Sequence, residues 1–349
     1  MERRGAMDVC ILGAGVVGLM TALELQDQFP NANYTIIAHL FNQNTTSDGA
    51  AGLFHPSSTF TGPTLDITEN WIADSYSYYD NLRNSSDGEK SGVFQCSGFQ
   101  LSSSMPSLIW SNYMKKVAPV YRYATEEELK VYPGNWKYGS YCVTLGIECR
   151  RLLPWSLLRF QESGGKVISK KIESFGELAD DYDVVMNCSG LSAAQLCQDR
   201  QMVPIRGQVI KVHAPWVTQF LYADHDTYII PSGRGRVTLG GTRNFDDHDT
   251  SVSKWDSEKI REKCSRLIPK LAVAPELETW VGLRPHRHPV RVEVETLSIP
   301  RKRGGSLKVV HNYGHGGYGV TTAPGTAKHA VNLFRQLHSG CSESQPSKL

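Results

Sequence analysis

The sequence lacks the long apolar stretches and charge runs that would place it in several large classes of protein. Its longest apolar stretch, "VCILGAGVVGLM", is broken by glycines and too short for the roughly 20-residue helix that spans a bilayer. The 349 residues carry 37 basic and 35 acidic side chains, a formal charge of +2, with no long Lys/Arg run. We therefore predict a soluble globular chain with neither a nucleic-acid nor a membrane partner.

The eight cysteines include no C-x-x-C pair and are too sparse for a disulfide scaffold. Several lie inside apolar, strand-like segments, so we predict buried free thiols and a reducing compartment. The chain also lacks a G-x-S-x-G nucleophile elbow, an H-E-x-x-H motif and paired Cys/His spacing. Hydrolases and zinc enzymes that depend on those motifs are excluded, and we predict no metal.

The segment "DVCILGAGVVGLMTALELQDQ" indicates a strand, a tight turn and a helix, and "NYTIIA" indicates the next strand. Glycines 13, 15 and 18 form G-x-G-x-x-G at the turn. The first permits the turn, the second lets a pyrophosphate approach the backbone, and the third lets helix and strand pack closely. The helix N-terminus then offers N–H groups to the phosphates. We predict cofactor contacts at Gly13, Ala14, Gly15, Val16, Val17 and Gly18.

The end of the second strand departs from this fingerprint. An acidic residue usually takes the ribose hydroxyls at that point, whereas "TIIAHLF" supplies His39. Either His39 makes the ribose contact through a ring nitrogen, or that contact is lost and the phosphates and the rest of the site supply the affinity.

Three further segments fit a large planar cofactor. The first, "TTSDGAAGLFHP", is rich in small and hydroxyl residues, although by composition alone it is an ordinary loop. A buried strand predicted at residues 183–187 ends in a Cys-Ser-Gly turn. Another, at residues 307–312, runs into four glycines and a helix whose positive end suits a developing anion. The predicted contacts here are Thr45, Thr46, Ser47, Gly52, Leu53, Ser189, Gly190, Gly316, Gly317, Tyr318, Gly319, Val320 and Thr321.

The segment "VGLRPHRHPVRVE" places Arg284, Arg287 and Arg291 among residues that should pack against a core. A guanidinium is costly to desolvate alone, so an anion is expected opposite each one. The alternatives are a bound anionic ligand, or arginines that reach the surface or pair with Glu293 and Glu295.

Together these segments resemble the FAD-dependent D-amino-acid oxidase family. The resemblance covers nearly the whole chain, through "ILGAGVVGL", "TTSDGAAG", "CRRLLPWSL", "NCSGL", "PIRGQV", "TYIIPS", "VTLGGTR", "GLRPHR" and "HNYGHGGYGVT" in the family's order. It implies an α/β fold with a Rossmann-like FAD-binding domain and a substrate domain with a mixed, mainly antiparallel sheet. The boundaries we predict are residues 7–54, 143–198 and 305–340 for the FAD-binding domain, and residues 55–142 and 199–304 for the substrate domain. Alternating segments such as "GQVIKVHAP", followed by a helix near residues 254–267, agree with this division.

The resemblance also implies roles for three residues. Arg284 binds the substrate α-carboxylate, Tyr228 adds a hydroxyl, and the carbonyl of Gly317 accepts from the amine. A planar guanidinium takes a carboxylate with two parallel bonds, which fixes the Cα–H direction over the flavin. The reaction implied is hydride transfer to flavin N5, followed by hydrolysis to a 2-oxo acid and ammonia, while oxygen becomes hydrogen peroxide. Arg287 and Arg291 keep the structural interpretation.

The segment "VTLGGTRNF" bears on the substrate. Family members that act on D-aspartate carry the same Thr-Arg as Thr242 and Arg243, whereas those for neutral substrates have apolar residues there. A second guanidinium can neutralise a second carboxylate, and it disfavours uncharged side chains. We therefore expect D-aspartate, D-glutamate and N-methyl-D-aspartate as substrates.

Two features favour other interpretations. The segment "FLYADHDTY" lacks an arginine that the D-aspartate enzymes often carry, and "HGGYG" is closer to the enzymes for neutral substrates. The alternatives are an oxidase of neutral D-amino acids and a binding protein for FAD or D-amino acids with weak turnover. His55, in "GLFHP", is either a further polar contact or a structural histidine.

The last residues, "SGCSESQPSKL", predict a disordered polar tail at residues 341–349. Ser347, Lys348 and Leu349 match the receptor-read peroxisomal address. We therefore expect the peroxisomal import receptor as a partner and the peroxisomal matrix as the location, the alternative being an ordinary frayed tail. The start, "MERRGAMD", does not resemble a signal peptide.

Overall fold

The fold begins with the strand, turn and helix that the glycine fingerprint predicts. The computed structural model describes residues 6–57, 59–302 and 304–339. In it β1 (Asp8–Ala14) passes through Gly15 into α1 (Val16–Gln28), and β2 (Asn33–Phe41) lies parallel to β1. The centre of β1 is a continuous buried run, as expected for a strand covered on both faces.

The other elements follow in chain order. The strands are β3 (Val93–Ser102), β4 (Val120–Tyr123), β5 (Tyr138–Ile147), β6 (Lys166–Ser169), β7 (Val184–Asn187), β8 (Val203–His213), β9 (Phe220–Ala223), β10 (Thr227–Pro231), β11 (Arg236–Gly240), β12 (Asn244–Phe245), β13 (Glu276–Leu297) and β14 (Leu307–His315). The helices are α2 (Leu65–Asn84), α3 (Gly88–Ser91), α4 (Asn112–Val117), α5 (Glu126–Lys130), α6 (Cys149–Glu162), α7 (Ala193–Leu196), α8 (Lys254–Leu267) and α9 (Gly319–Ser339).

The described strands join in one sheet whose two halves differ in strand direction. Its order is β4-β5-β3-β9-β10-β11-β8-β13-β14-β7-β1-β2-β6, with β12 beside β8. In this order, the strands from β14 to β6 are parallel to their neighbours. The strands from β9 to β14 pair antiparallel, and β3 is parallel to β9 but antiparallel to β5. The predicted combination of a Rossmann-like part and a mixed, mainly antiparallel part is confirmed. The domain boundaries stay a prediction.

Several predicted elements agree closely with the structure. The helix expected near residues 254–267 is α8, which begins there because the Ser253 hydroxyl accepts a hydrogen bond from Asp256 N–H. The strand expected at residues 183–187 is β7, one residue shorter. The strand expected at residues 307–312 is β14, which continues to His315 because it keeps pairing with β13.

Strand β13 contains the whole arginine segment and links the two halves of the sheet. Its first part pairs with β8 and its later part with β14, and the register with β14 shifts between His286 and Arg291. Pro289 lies in that interval and has no N–H to donate, so it interrupts the ladder. The segment is a strand throughout its length.

The two largest apolar cores of the described residues support the sheet. One lies between the parallel strands and the helices α1, α2 and α9, and the other beneath α8 against the antiparallel strands. The prediction of buried free thiols is confirmed for the described cysteines: Cys197 is half-buried, and the buried ones are Cys10, Cys96, Cys142, Cys149, Cys188 and Cys264. Every helix of the described ranges is too short or too polar to cross a membrane.

Two histidines of β14 are buried in this sheet. His311 Nε2 lies 2.8 Å from a Glu295 oxygen, and His315 Nε2 lies 2.9 Å from Thr326 Oγ1. Burial lowers the pKa of His311 to about 4 and the pKa of His315 to about 3. Both imidazoles are neutral in the folded protein near pH 7.

We expect the fold to lose stability in mild acid. An unfolded histidine titrates near pH ~6.5, so below that pH the unfolded chain binds more protons than the folded chain. Stability is complete above pH ~6.5 and falls by about 1.4 kcal/mol per pH unit per histidine towards the folded pKa. Denaturant titrations between about pH 6 and 4 give the slope of the free energy of unfolding against pH. His315→Gln should reduce this slope by the contribution of one histidine. His213→Gln, at an exposed histidine, is the control. An unchanged slope in His315→Gln would contradict the assignment.

Candidate active site

A cavity of about 1330 Å³ lies along the carboxyl ends of β1, β7 and β14 and extends to the antiparallel half of the sheet. Its volume exceeds that of a typical pocket for one small ligand. All of the predicted site residues except Gly18 line it. The fold therefore brings together segments that are far apart in the chain, at the edge where parallel sheets bind cofactors.

The glycine turn has room for no other residue at two of its positions. Gly13 has a φ of 111°, and a Cβ there would lie 2.4 Å from the Cys188 carbonyl oxygen. A Cβ on Gly18 would lie 2.0 Å from the Gly13 carbonyl oxygen. Gly15 lines the cavity, and the nearest atom to a Cβ there is Ser47 Oγ at 3.2 Å. Gly18 thus permits close packing and does not line the cavity.

The loop that contains Thr45, Thr46 and Ser47 uses its three hydroxyl groups differently. Thr45 Oγ1 donates to the Asn42 carbonyl at 2.7 Å, and Thr46 Oγ1 donates to the Leu283 carbonyl at 3.3 Å. Ser47 Oγ instead accepts from Val16 N–H at 3.0 Å, at the start of α1. A hydroxyl has one proton, so in this conformation Ser47 alone of the three keeps its proton for a ligand.

The cavity fits a dinucleotide with a planar ring system. The helices α1 and α9 both begin at its wall, so their first N–H groups and positive dipole ends face the same space. The Asn312 side chain also lines it, and the buried Oδ1 of that amide has no partner in the described part of the chain. His39 lies exposed at the other end, with Lys170 and Lys171 in the same wall. Both interpretations of His39 stay open.

Two of the three arginines of β13 are occupied by carboxylates of the protein. Arg287 Nε lies 2.7 Å from Asp199 Oδ2. Arg291 lies 2.6 Å from Glu293 and 3.1 Å from Glu295. For these two, the structural interpretation is correct.

The third arginine has no such partner. Arg284 Nη1 donates only to the backbone carbonyls of Arg206 and Thr242, at 3.4 and 3.1 Å, and no described carboxylate lies within ion-pair distance. Its side chain lines the cavity against Gly207, where a Cβ would clash with the guanidinium. A half-buried, unneutralised guanidinium in a concave site favours an anionic ligand.

Tyr228 and Gly317 lie beside this guanidinium. Burial raises the pKa of Tyr228, and the adjacent Arg284 charge, which lowers it, offsets only part of that effect. The hydroxyl is therefore protonated at neutral pH and can donate. A Cβ on Gly317 would lie 3.5 Å from Arg284 Cδ, so the backbone of this glycine passes close to the arginine stem. The structure brings these three predicted residues together.

Arg243 follows β11 and lines the same cavity. Its Nη2 lies 3.2 Å from Asp226 Oδ1. Tyr222 lines the same cavity as the two arginines, whose charges lower the pKa of its hydroxyl. Burial, the larger effect, raises that pKa, so Tyr222 is also a neutral donor.

The sequence analysis assigned no role to Tyr222 or Asp226. Tyr222 is opposite Tyr228 in the β9–β10 pair, with ring centroids 5.3 Å apart. Only the register of this strand pair could have indicated that Tyr222 lies in the pocket. His55 stacks on Tyr222 at 5.4 Å and lies 3.2 Å from Gln100 Oε1, so it supports the pocket wall. Burial lowers the pKa of His55.

Comparisons with known proteins agree with this arrangement. The DAO family model, described as FAD dependent oxidoreductase, matches residues 8–333. A D-aspartate oxidase of Homo sapiens is 38% identical over 332 residues, 94% of each chain. A D-amino acid oxidase of Dugesia ryukyuensis is 33% identical and covers 95% of this chain and 98% of its own. Glycine oxidase from Geobacillus kaustophilus has the same fold, with a TM-score of 0.75, 18% identity and 95% coverage of each chain.

Gly18→Ala should impair FAD binding. The new Cβ would lie 2.0 Å from the Gly13 carbonyl oxygen, so α1 and β1 have to separate, at a cost of about 1–3 kcal/mol. We expect a lower ratio of FAD to protein after purification and about tenfold weaker binding in fluorescence titrations. Gly176→Ala is the matched control, because its Cβ would meet only Ser174 Oγ at 3.5 Å. Equal FAD affinity of wild type and Gly18→Ala would refute the packing role.

Proposed function

The chain belongs to the DAO family of FAD-dependent oxidoreductases, and we propose that it oxidises acidic D-amino acids to 2-oxo acids, ammonia and hydrogen peroxide. One observation carries the proposal: two arginines line a single cavity, and the one beside Tyr228 has no carboxylate partner among the described residues. A substrate with two carboxylates matches two guanidiniums.

The first subsite holds the part common to all amino acids. Arg284 takes the α-carboxylate with two parallel hydrogen bonds, and the Tyr228 hydroxyl donates to the same group. The Gly317 carbonyl accepts from the amine. When bound, FAD supplies the acceptor for the Cα hydride and the site of reaction with oxygen. The residues named here fix the orientation of the substrate, and none of them has to remove a proton.

The second subsite distinguishes acidic from neutral side chains. Arg243 meets the side-chain carboxylate, and the neutral Tyr222 hydroxyl, in the same cavity, donates to it. Tyr222 thereby supplies a hydrogen bond to the side-chain carboxylate in place of an arginine that D-aspartate enzymes often carry in this segment. The human relative, which is named a D-aspartate oxidase, supports this choice, whereas the Dugesia relative is named more generally.

The first experiment measures peroxide release by the FAD-saturated protein with D-aspartate, D-glutamate, N-methyl-D-aspartate, D-alanine and L-aspartate. We expect turnover of the acidic D-substrates well above that of D-alanine, and none of L-aspartate. A preference for D-alanine would make the chain an oxidase of neutral D-amino acids. FAD and ligand binding without turnover would make it a binding protein.

Arg243→Ala tests the second subsite. The loss of a charge-assisted contact should lower kcat/KM for D-aspartate about 10- to 150-fold, while D-alanine is affected much less. Arg200→Ala removes one exposed arginine outside the cavity and is the control for net charge. An equal loss on both substrates would assign Arg243 a structural role.

We also propose a peroxisomal location, with the import receptor as a partner. Ser347, Lys348 and Leu349 match the address that this receptor reads, and they lie outside the described residues. A fluorescent protein fused to the N-terminus should give punctate fluorescence that coincides with a peroxisomal marker. The same fusion without Leu349 should be diffuse, and an identical distribution of the two fusions would contradict the proposal.

A further inference from the structure

The guanidinium assigned to the substrate side chain already has a counter-ion in the protein. Arg243 Nη2 lies 3.2 Å from Asp226 Oδ1, and both residues line the cavity. Their side chains are 46% and 47% exposed, so a ligand that enters the cavity can reach both groups. Arg284, the other arginine of the pocket, has no equivalent partner in the described ranges.

The backbone holds the Asp226 carboxylate in this place. The Asp226 carbonyl accepts from Gly241 N–H at 2.7 Å, which connects the β9–β10 turn to the segment that carries Arg243. The same turn is anchored on its other side, because Asp224 Oδ2 accepts from Ser103 N–H at 2.8 Å. Asp226 itself has a φ of 54°, in the left-handed region. The ion pair is thus built into two anchored loops.

The charge of Asp226 also acts within the substrate pocket. Burial is the main cause of the raised pKa of Tyr228; the Arg284 charge lowers that pKa, and the Asp226 charge raises it further. Burial, His288 and Arg243 lower the pKa of His286, which lines the same cavity. A second carboxylate brought to Arg243 by a substrate would therefore meet the Asp226 carboxylate at close range.

We propose that Asp226 is a specificity-determining residue that occupies Arg243 until an acidic side chain displaces it. The inference rests on the proposed function, in which Arg243 binds that side chain. With a neutral substrate, Asp226 keeps the Arg243 guanidinium paired, so the free-energy cost of an unpaired charge in the pocket is avoided. With an acidic substrate, Asp226 competes for the arginine and repels the incoming charge. It therefore weakens acidic binding and widens the substrate range.

Asp226→Asn tests this directly, because asparagine tolerates the left-handed conformation and retains the size of the side chain. Loss of a half-exposed ion pair and of like-charge repulsion at about 4 Å each corresponds to a factor of about 5. In the FAD-saturated protein, KM for D-aspartate should fall about 5- to 25-fold with little change in kcat. KM for D-alanine should stay constant or rise.

Asp246→Asn is the matched control. Asp246 is also left-handed, with a φ of 57°, its side chain is 81% exposed, and it lies 3.7 Å from His248 instead of pairing with Arg243. This variant should leave both KM values at the wild-type level. In the Arg243→Ala background, Asp226→Asn should no longer lower KM for D-aspartate, because the two effects act through one pair. An undiminished effect in that background would overturn the proposal.

A binding measurement separates this inference from the proposed function. The dissociation constants of succinate and propionate are measured from the change in flavin absorbance, in wild type and in Asp226→Asn. We expect tighter succinate binding in the variant and unchanged propionate binding. If wild type oxidises no D-aspartate but Asp226→Asn still binds succinate more tightly than wild type, the proposed function fails and the role of Asp226 stands. If D-aspartate is oxidised but neither KM nor succinate binding changes, the role of Asp226 fails alone.

Discussion

The pairing of β13 with both β8 and β14 is the constraint on which the rest of the structure depends. It joins the parallel, cofactor-binding half of the sheet to the antiparallel half in one ladder. Arg284 lies in the part of β13 that pairs with β8, close to the point where the β14 pairing begins. A one-residue shift of register there would move the guanidinium to the opposite face of the sheet, because side chains alternate along a strand. The distance between Arg284 and the carboxyl edge of the parallel strands is therefore set by backbone hydrogen bonds.

Charge pairing then determines which arginines can act on a ligand. Arg287 and Arg291 are neutralised by carboxylates of the protein, so they stabilise the fold without offering a binding site. Arg284 donates to two backbone carbonyls and has no carboxylate partner among the described residues, which leaves its charge for an anion. Arg243 is intermediate, since its partner is exposed and can be displaced. One cavity is therefore lined by a guanidinium without a described carboxylate partner and by one with an exposed partner.

Much of the parallel half could be predicted because its signals are local. The glycine positions, the first strand and helix, and the run of β14 into α9 depend on neighbours within about ten residues, where periodicity and turn chemistry are informative. The antiparallel half was predicted only in outline. Part of its register arises between segments distant in sequence, such as β8 and β13, so the place of Arg284 opposite Ile205 became visible only in the folded chain. For the same reason the Thr46 hydroxyl proved to donate to the distant Leu283 carbonyl.

By itself, the sequence determined the dinucleotide turn and the presence of cationic side chains in a strand near the core. Glycine readily adopts the positive φ that Gly13 has in the turn, and a continuous apolar run favours a buried strand, so local chemistry suffices. Only the tertiary structure decided which arginine lacks a carboxylate. Arg287 meets Asp199 across 88 positions of the chain, and Arg243 meets Asp226 through two loops joined by a backbone hydrogen bond. Such partners are set by strand register and loop anchoring, which a linear pattern of residues does not encode locally.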